Sequence, residues 1–508
     1  MGRRKPIYLL LLMLLIVISI AVAIKFQTPR QQSETAIAIG TPTQYIPVSI
    51  NGNTIVMDFY SSGNWYDTTM LNTEYDTQIT LGDFEGYRFQ VNGIPVEPNA
   101  SVDIRLESLR WEAGIEFSAT NLQTGITTIN YVRTLPSHFY EWQVLSEQPD
   151  DGYYYFNLNN YIYKISTAGD IVFFKAVQGV DNISGGMDFK RTEVDGTVYY
   201  SYLLANTPAN RPALSGVGYG RMCAVVMNEQ YEEIDHVYAL IPNEDILENY
   251  PLENHQFTIL GEKHYLISSY VGKRVTNIPD EVPHSALGSR VVAAVLQEIQ
   301  DGKLIWQWDS TEHPELYALS LQGNDYYNTT AQWADYVHFN AIAIDPTDQN
   351  FLCSFRNLSA ILKLDRKTGD VLWILGGTGD QFGLDEAQLF SCQHDVRITK
   401  DGAITIFNNG NADDQGQEGS TSIMKFWLDE KNKKVSSFEE YIVEGAFSPY
   451  MGSATEISDG HYIIGWGTRT SYSQMPLFSE IDFNEGKVLF EFIYPLLGDA
   501  YRVYKFEK

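Results

Sequence analysis

Cysteine is scarce in this sequence: Cys223, Cys353 and Cys392 are the only three among 508 residues. So small and odd a count excludes a disulfide scaffold, and no CxxC or Cys/His spacing offers a metal site. Charge is scarce too, at 19% of residues, and positive charge scarcest, with 35 Lys and Arg against 64 Asp and Glu. The formal net charge of −29 excludes a nucleic-acid partner, because phosphate binding requires a basic face. Small anionic substrates stay open, since one or two cations in a cleft override a distant negative field. Aromatic residues, by contrast, are plentiful: 33 Tyr, 25 Phe and 9 Trp make up 13% of the chain. That mixture suits a large, well-packed β protein.

One long apolar run occurs, at the N-terminus. Arg3, Arg4 and Lys5 precede a charge-free stretch from Ile7 to Ile24, close to the lower limit of about 17–25 residues for a membrane-spanning helix. The positive flank is expected to stay inside, with the remainder exported. Ala21-Val22-Ala23 offers a small-residue cleavage site, so the stretch reads as an anchor or as a removable signal peptide. Its length and leucine content favour the anchor. Residues 1–26 are therefore expected as signal-anchor or signal peptide and 27–35 as a polar linker. The protein is expected to be extracytoplasmic, held to the cytoplasmic membrane through residues 7–24 only.

Residues 36–136 show short alternating segments between turn signals, such as IPVSING, DTQITLGD, YRFQVNG and VDIRLES, without a strong helical period. They predict a small β-sandwich. From about residue 140 a repeat emerges, in which a Gly-bearing turn is followed by an aliphatic–aromatic strand: STAGDIVFF, IQDGKLIWQW, DRKTGDVLWILG and DFNEGKVLFEF. Degenerate copies at NEQYEEIDHVYAL and DEKNKKVSSFEEYIV complete a series with steps of about 60 residues. Six copies of an all-β unit predict a six-bladed β-propeller over residues 137–508. The innermost strand of each blade is expected at MDFKRTEV, HQFTIL, HFNAIAID, HDVRITK and GSATEIS.

Three of these inner strands open on histidine, at His255, His338 and His394, in a chain with only nine. Equivalent propeller positions surround one axis, so the three imidazoles are expected to converge on one mouth of the channel. Asn340, two residues after His338, is expected to face the same way along a strand. Arg356 ends the following strand (LCSFR), whose antiparallel course returns it toward the same mouth. Beside the histidines it predicts an anion-binding cleft.

The stretch VHFNAIAIDPTDQNFLCSFRNLSAILKLDRKTGDVLWILGG, followed by QLFSCQHDVRITKDGAITIFNNG, resembles the bacterial arylsulfate sulfotransferases that work without phosphoadenosyl phosphosulfate. The resemblance is close over His338–Gly410 and looser back to His255 and forward to the terminal AYRVYKFEK. It implies that His394, in the QHD segment, is the nucleophile that becomes sulfated. It also implies that His338 and Asn340 are the family's HxN pair, Arg356 its arginine and His255 its earlier blade-start histidine. Phenols and aryl sulfates are the implied partners, with no cofactor. One departure stands out: members from diderm bacteria carry a short disulfide loop before the nucleophile, and residues 376–394 hold only Cys392.

The chemistry this predicts is ping-pong transfer. His394, neutral on its attacking nitrogen, takes the sulfuryl group and releases a phenol, and an acceptor phenol then removes it. Arg356 offers a planar fork to the sulfuryl oxygens and Asn340 an amide donor, while His338 and His255 hold the anion or carry the phenol proton. Two other readings stay open. Three histidines in a channel would hold zinc or iron, although Arg356 would repel a cation and Asp395, adjacent to His394, should point to the other face. A surface-anchored propeller that only binds a partner is the second. The segment NNGNADDQGQEG reads as a solvated loop rather than a calcium site.

Overall fold

The computed structural model describes residues 45–507, apart from 51, 60, 70–75, 106–114, 136–141, 148, 178–185, 206–219, 244–245, 331, 412–419 and 471–474. The apolar run Ile7–Ile24, the linker 27–35, the boundary expected after residue 136 and most of the segment 408–419 lie outside these. Strands hold 55% of the chain and helix 4%, so the protein is all-β, built of many small antiparallel sheets. No helix among the described residues is long and apolar enough to cross a membrane. Two compact units result, one within residues 6–140 and one within 141–508.

Among its described residues the first unit has two sheets. One orders Asn53–Asp58, Tyr45–Ile50, Asp76–Leu81 and Ser101–Arg105; the other orders Trp65–Thr69, Thr127–Leu135, Ile115–Asn121, Tyr87–Val91 and Ile94–Val96. Alternation carries them: Ile46, Val48 and Ile50 are buried while Tyr45 and Pro47 are exposed, as expected of strands with one wet face. Val48 and Ile79 of one sheet share a single core with Val91, Phe117 and Val132 of the other. One pairing departs from the antiparallel rule: Trp65–Thr69 runs parallel to Thr127–Leu135.

The second unit contains six sheets of four or five strands among its described residues. Strands Met187–Val194, Phe257–Gly261, Phe339–Ile344, His394–Ile398 and Ser453–Ser458 each form one edge of a sheet, at the positions predicted for inner strands. In the first sheet the equivalent edge is Tyr504–Phe506, from the chain's end, paired with Tyr153–Leu158. Gln143–Ser146, from the start of the unit, pairs with Lys487–Ile493 of the last sheet. The ends of the unit are thus stitched together twice.

Middle strands such as Met222–Met227, Phe351–Phe355 and Ile404–Asn408 are buried along their whole length. The fourth strands alternate, with Lys303–Asp309 exposing Lys303, Ile305 and Gln307. A strand buried on both faces requires a neighbouring sheet on each side, and the cores supply it. Successive sheets share apolar clusters from residue 155 to residue 438. The fifth and sixth meet through Phe407–Trp466 and Tyr441–Tyr462. The last meets the first where Tyr154 and Phe156 pack on Phe478, Phe490 and Phe492.

The turn repeat has a backbone cause. Gly169, Gly302, Gly369 and Gly486 lie between the last two strands of their sheets with φ of 85°, 71°, 81° and 64°, a left-handed region that favours glycine. In the two degenerate copies Tyr231 and Lys433 take that place with φ of 59° and 51°. Tyr231 offsets the strain by stacking between Phe173 and Tyr200, at 3.9 and 4.3 Å.

Where the last sheet meets the first, Glu480 is fully buried. It accepts from Lys505 Nζ on both oxygens at 2.8 Å and from Tyr154 Oη at 2.5 Å, and pairs with His461 Nε2 at 2.9 Å. Its partners hold its carboxyl below the ordinary value against burial, which acts the other way. Glu480→Ala, which strands the buried Lys505 ammonium, is expected to cost about 3–5 kcal/mol. A urea titration checks it, and an unchanged midpoint would show that this seam does not hold the two sheets together.

Candidate active site

The three predicted histidines come together. The His255 ring centroid lies 5.2 Å from that of His338 and 6.1 Å from that of His394. All three rings are nearly buried, with 3%, 8% and 3% of their residues' surface exposed. Tyr501 closes on the cluster with its ring 5.6 Å from His255, and Tyr270 lies 5.4 Å from His338.

Each imidazole has an acceptor against Nδ1. For His394 it is Asn409 Oδ1 at 2.7 Å. The Asn409 amide cannot turn round, because its Nδ2 donates to the carbonyls of Ser448 and Met451 at 2.8 and 2.9 Å. An amide oxygen only accepts, so His394 carries its proton on Nδ1 and a lone pair on Nε2. His338 Nδ1 pairs with Asp335 Oδ2 at 2.5 Å. His255 Nδ1 and its backbone N–H both meet Glu253 Oε2, whose other oxygen takes Ser268 Oγ and the Gln256 N–H. Two imidazoles therefore stand on carboxylates and one on a neutral amide.

Burial holds His394 well below its ordinary value, reinforced by the charges of His255 and Arg356, with Asn409 opposing. Burial also holds His255 low, with His338 and Arg502 acting the same way. Glu253 is pushed up to about 8 by burial, against the donors from Ser268, His255 and Gln256. One proton near neutral pH thus lies between Glu253 and His255, in reach of the cavity the rings enclose.

Local sequence explains the placement of His394. Gln393, fully buried, ties its amide to Ser354 Oγ, Phe355 O and Ala360 O. Asp395 takes a positive φ of 57° and accepts from Arg397 Nε, Arg397 Nη2 and the Ala454 N–H. A bulge between His394 and Arg397 replaces the simple alternation expected there, so Asp395 faces a buried cation instead of merely pointing away.

Two expectations need correction. Asn340 does not follow His338 by strand alternation: His338 has φ of 47° and a bulge lies between Phe339 and Ala341. The Asn340 amide donates to the carbonyl of Gln393 at 2.7 Å, so it holds the segment carrying His394, and its buried Oδ1 has no partner among the described residues. Arg356 does not end the strand, which stops at Phe355; it opens a 3-10 turn over Arg356–Leu358. Its N–H donates to His338 O at 2.9 Å. Its guanidinium spends one nitrogen on Gln322 Oε1 and Asn357 Oδ1, both at 2.9 Å, and lies 5.6 Å from the centre of the Tyr450 ring. Its charge still acts on both His255 and His394.

Several residues escaped the sequence reading. Glu253 and Asp335 had a visible signal, an acid two or three positions before a strand-opening histidine. Asn409 had none, lying at the far end of the neighbouring strand. Tyr501 and Arg502 lie in the terminal AYRVYKFEK, but nothing in the sequence placed them at the site; the chain's end brings them to the first sheet. Among the described residues no group of three or more His, Cys, Asp or Glu is arranged to hold a metal ion.

A shielded cluster of imidazoles beside a guanidinium, on an all-β scaffold, defines a protein that handles a small anion by nucleophilic or proton-transfer chemistry. The chain belongs to the arylsulfotransferase (ASST) family, whose model matches residues 192–505, a span that includes every site residue named above. Membership supports aryl sulfotransferase activity in general and fits aryl sulfates and phenols as substrates. No curated protein matches the chain. Among solved structures, a protein of unknown function from Bacteroides caccae is 11% identical, with a TM-score of 0.42 over 71% of this chain and 100% of that one. The quinohemoprotein alcohol dehydrogenase of Comamonas testosteroni is 8% identical, with a TM-score of 0.32 over 75% and 64%. A putative 6-phosphogluconolactonase from Bacteroides uniformis is 8% identical, with a TM-score of 0.33 over 77% and 95%.

At pH 6.5, where a free imidazole is about half protonated, the His394 ring is expected to stay neutral with its proton on Nδ1. Imidazole nitrogen shifts check this. In Asn409→Asp, a carboxylate against Nδ1 would favour the charged ring and move the His394 midpoint upward. A midpoint that does not move would mean that Nδ1 does not face residue 409.

Proposed function

We propose that the protein transfers a sulfuryl group from an aryl sulfate to a phenol by a ping-pong route through a sulfated His394. The observation that carries this reading is the amide behind His394. A nucleophile must present a lone pair, and Asn409 leaves Nε2 unprotonated without a carboxylate to draw a second proton onto the ring. In the first half-reaction Nε2 attacks sulfur, the N–S bond forms, and the S–O bond breaks with its electron pair leaving on the aryl oxygen. In the second, an acceptor phenol oxygen attacks sulfur and the N–S bond breaks back to His394. The acceptor's proton passes to His338, backed by the Asp335 carboxyl group, or to the coupled Glu253–His255 pair. Arg356 faces the charge spread over the three sulfuryl oxygens, as a transition state of this kind requires.

The scaffold we infer is a six-bladed propeller. The six sheets, their neighbour-to-neighbour cores and the double stitching of the unit's ends support it. We further propose that residues 7–24 anchor the exported protein to the cytoplasmic membrane, on the strength of the charged flank and the apolar run. Recovery of the full-length chain in the soluble fraction after cell disruption would contradict the anchor.

Full-length protein mixed with excess p-nitrophenyl sulfate and no acceptor is expected to gain about 80 Da, the mass of one SO3 group. The gain should vanish on adding phenol. His394→Ala should show no adduct and lose roughly a thousandfold or more in kcat. Transfer with no adduct in the native protein, even under rapid quenching, would replace the covalent route with direct transfer. Neither adduct nor transfer would leave a binding propeller.

A further inference from the structure

Tyr501, whose ring lies 5.6 Å from that of His255, presents an unpaired hydroxyl beside the histidine cluster. Its ring is 2% exposed, and its hydroxyl is shielded from solvent with no hydrogen-bond partner among the described residues. A buried hydroxyl without a partner is destabilising, so its retention beside His255 points to a partner that arrives with the substrate. The other groups around it are already committed. His255, His338 and His394 each have Nδ1 engaged. Arg502, whose guanidinium carbon lies 5.2 Å from the centre of the Tyr501 ring, donates to Gln256 Oε1 and Asn340 O.

We infer that the Tyr501 hydroxyl donates a hydrogen bond to the aryl oxygen that bridges to sulfur, in both half-reactions. This rests on the sulfuryl-transfer reading above and assigns the one atom that reading leaves without a donor. The three non-bridging oxygens carry negative charge in the bound ester and suit the permanent cation Arg356. The bridging oxygen is a poor acceptor in the ester and becomes anionic only as the S–O bond breaks. A donor that gains its partner only then stabilises the transition state and not the ground state. Tyr501 donates a hydrogen bond and keeps its proton: burial raises its hydroxyl well above the ordinary phenol value, outweighing the nearby Arg502 charge. The aryl oxygen leaves as phenolate with the S–O electron pair or takes its proton from His255 or His338. In reverse, Tyr501 holds the acceptor oxygen as it loses its proton to the same histidines.

The test is Tyr501→Phe in the full-length protein against a series of aryl sulfates from p-nitrophenyl to phenyl and p-methylphenyl. The rate of the donor half-reaction is plotted against the acidity of the leaving phenol. A donor to the bridging oxygen is needed least where the leaving group is stable by itself. The variant should lose about tenfold or less with p-nitrophenyl sulfate and about a hundredfold or more with phenyl sulfate, giving a steeper slope. Its melting temperature should be equal to or above that of the native protein, since only an unpaired polar group is removed. Equal losses across the series would assign Tyr501 to the non-bridging oxygens or to packing and overturn the inference, as would undiminished rates. A lower melting temperature would show the hydroxyl to be bonded in the free protein, which overturns it too. Should the native protein form no adduct and transfer nothing, the sulfuryl-transfer reading falls first and this assignment with it. A native protein that transfers normally beside a variant with an unchanged slope sinks the Tyr501 assignment alone.

Discussion

One buried guanidinium ties together the residues of the site. Arg502 is 2% exposed, and a buried charge that is not fully paired is costly. It meets that demand with Gln256 Oε1 at 2.7 Å, Asn340 O at 2.9 Å, Asp395 Oδ1 at 3.2 Å and Asp188 Oδ1 at 3.7 Å. Those four partners lie on or beside the edge strands of four different sheets, and Arg502 itself leads into the strand that completes another. Gln256 follows His255, Asn340 follows His338 by two residues, Asp395 follows His394, and Arg502 follows Tyr501. The contacts of one cation thus tie together the segments that carry the four site residues.

Within that cluster the groups behind the rings differ. A carboxylate stabilises an imidazolium and an amide does not. Glu253 and His255 share a proton as a coupled pair, Asp335 backs His338, and Asn409 offers His394 only a neutral oxygen. Arg356 adds a charge felt by two of the rings. The same repeated position in three sheets has become three chemically different sites through residues that are not themselves repeated.

Much of the fold was legible. The third-to-fourth strand turn announces itself because its backbone needs a positive φ, and four of six copies meet the need with glycine. Tyr231 and Lys433 reach it by other means and look degenerate. The histidines were legible because they recur at one repeat position. Asn340 and Arg356 were named for the right neighbourhood but with the wrong local geometry, because a bulge and a positive φ at His338 break the alternation from which their directions were inferred. Bulges are set by the pairing of two strands, here Phe339–Ile344 with Phe351–Phe355, and the residue pattern of one strand carries no trace of them.

By itself, then, the sequence determined the all-β class, the repeat and the residues that open its inner strands, because turn chemistry and strand pattern are local properties of the chain. Tertiary structure alone decided which nitrogen of each imidazole is free, that the chain's last strand completes the first sheet, and that Tyr501 and Arg502 belong to the site. The reason is physical: the His394 tautomer and the buried Arg502 charge are settled by partners 15 and 246 residues away, through contacts that exist only once burial has removed the water that would otherwise have satisfied them.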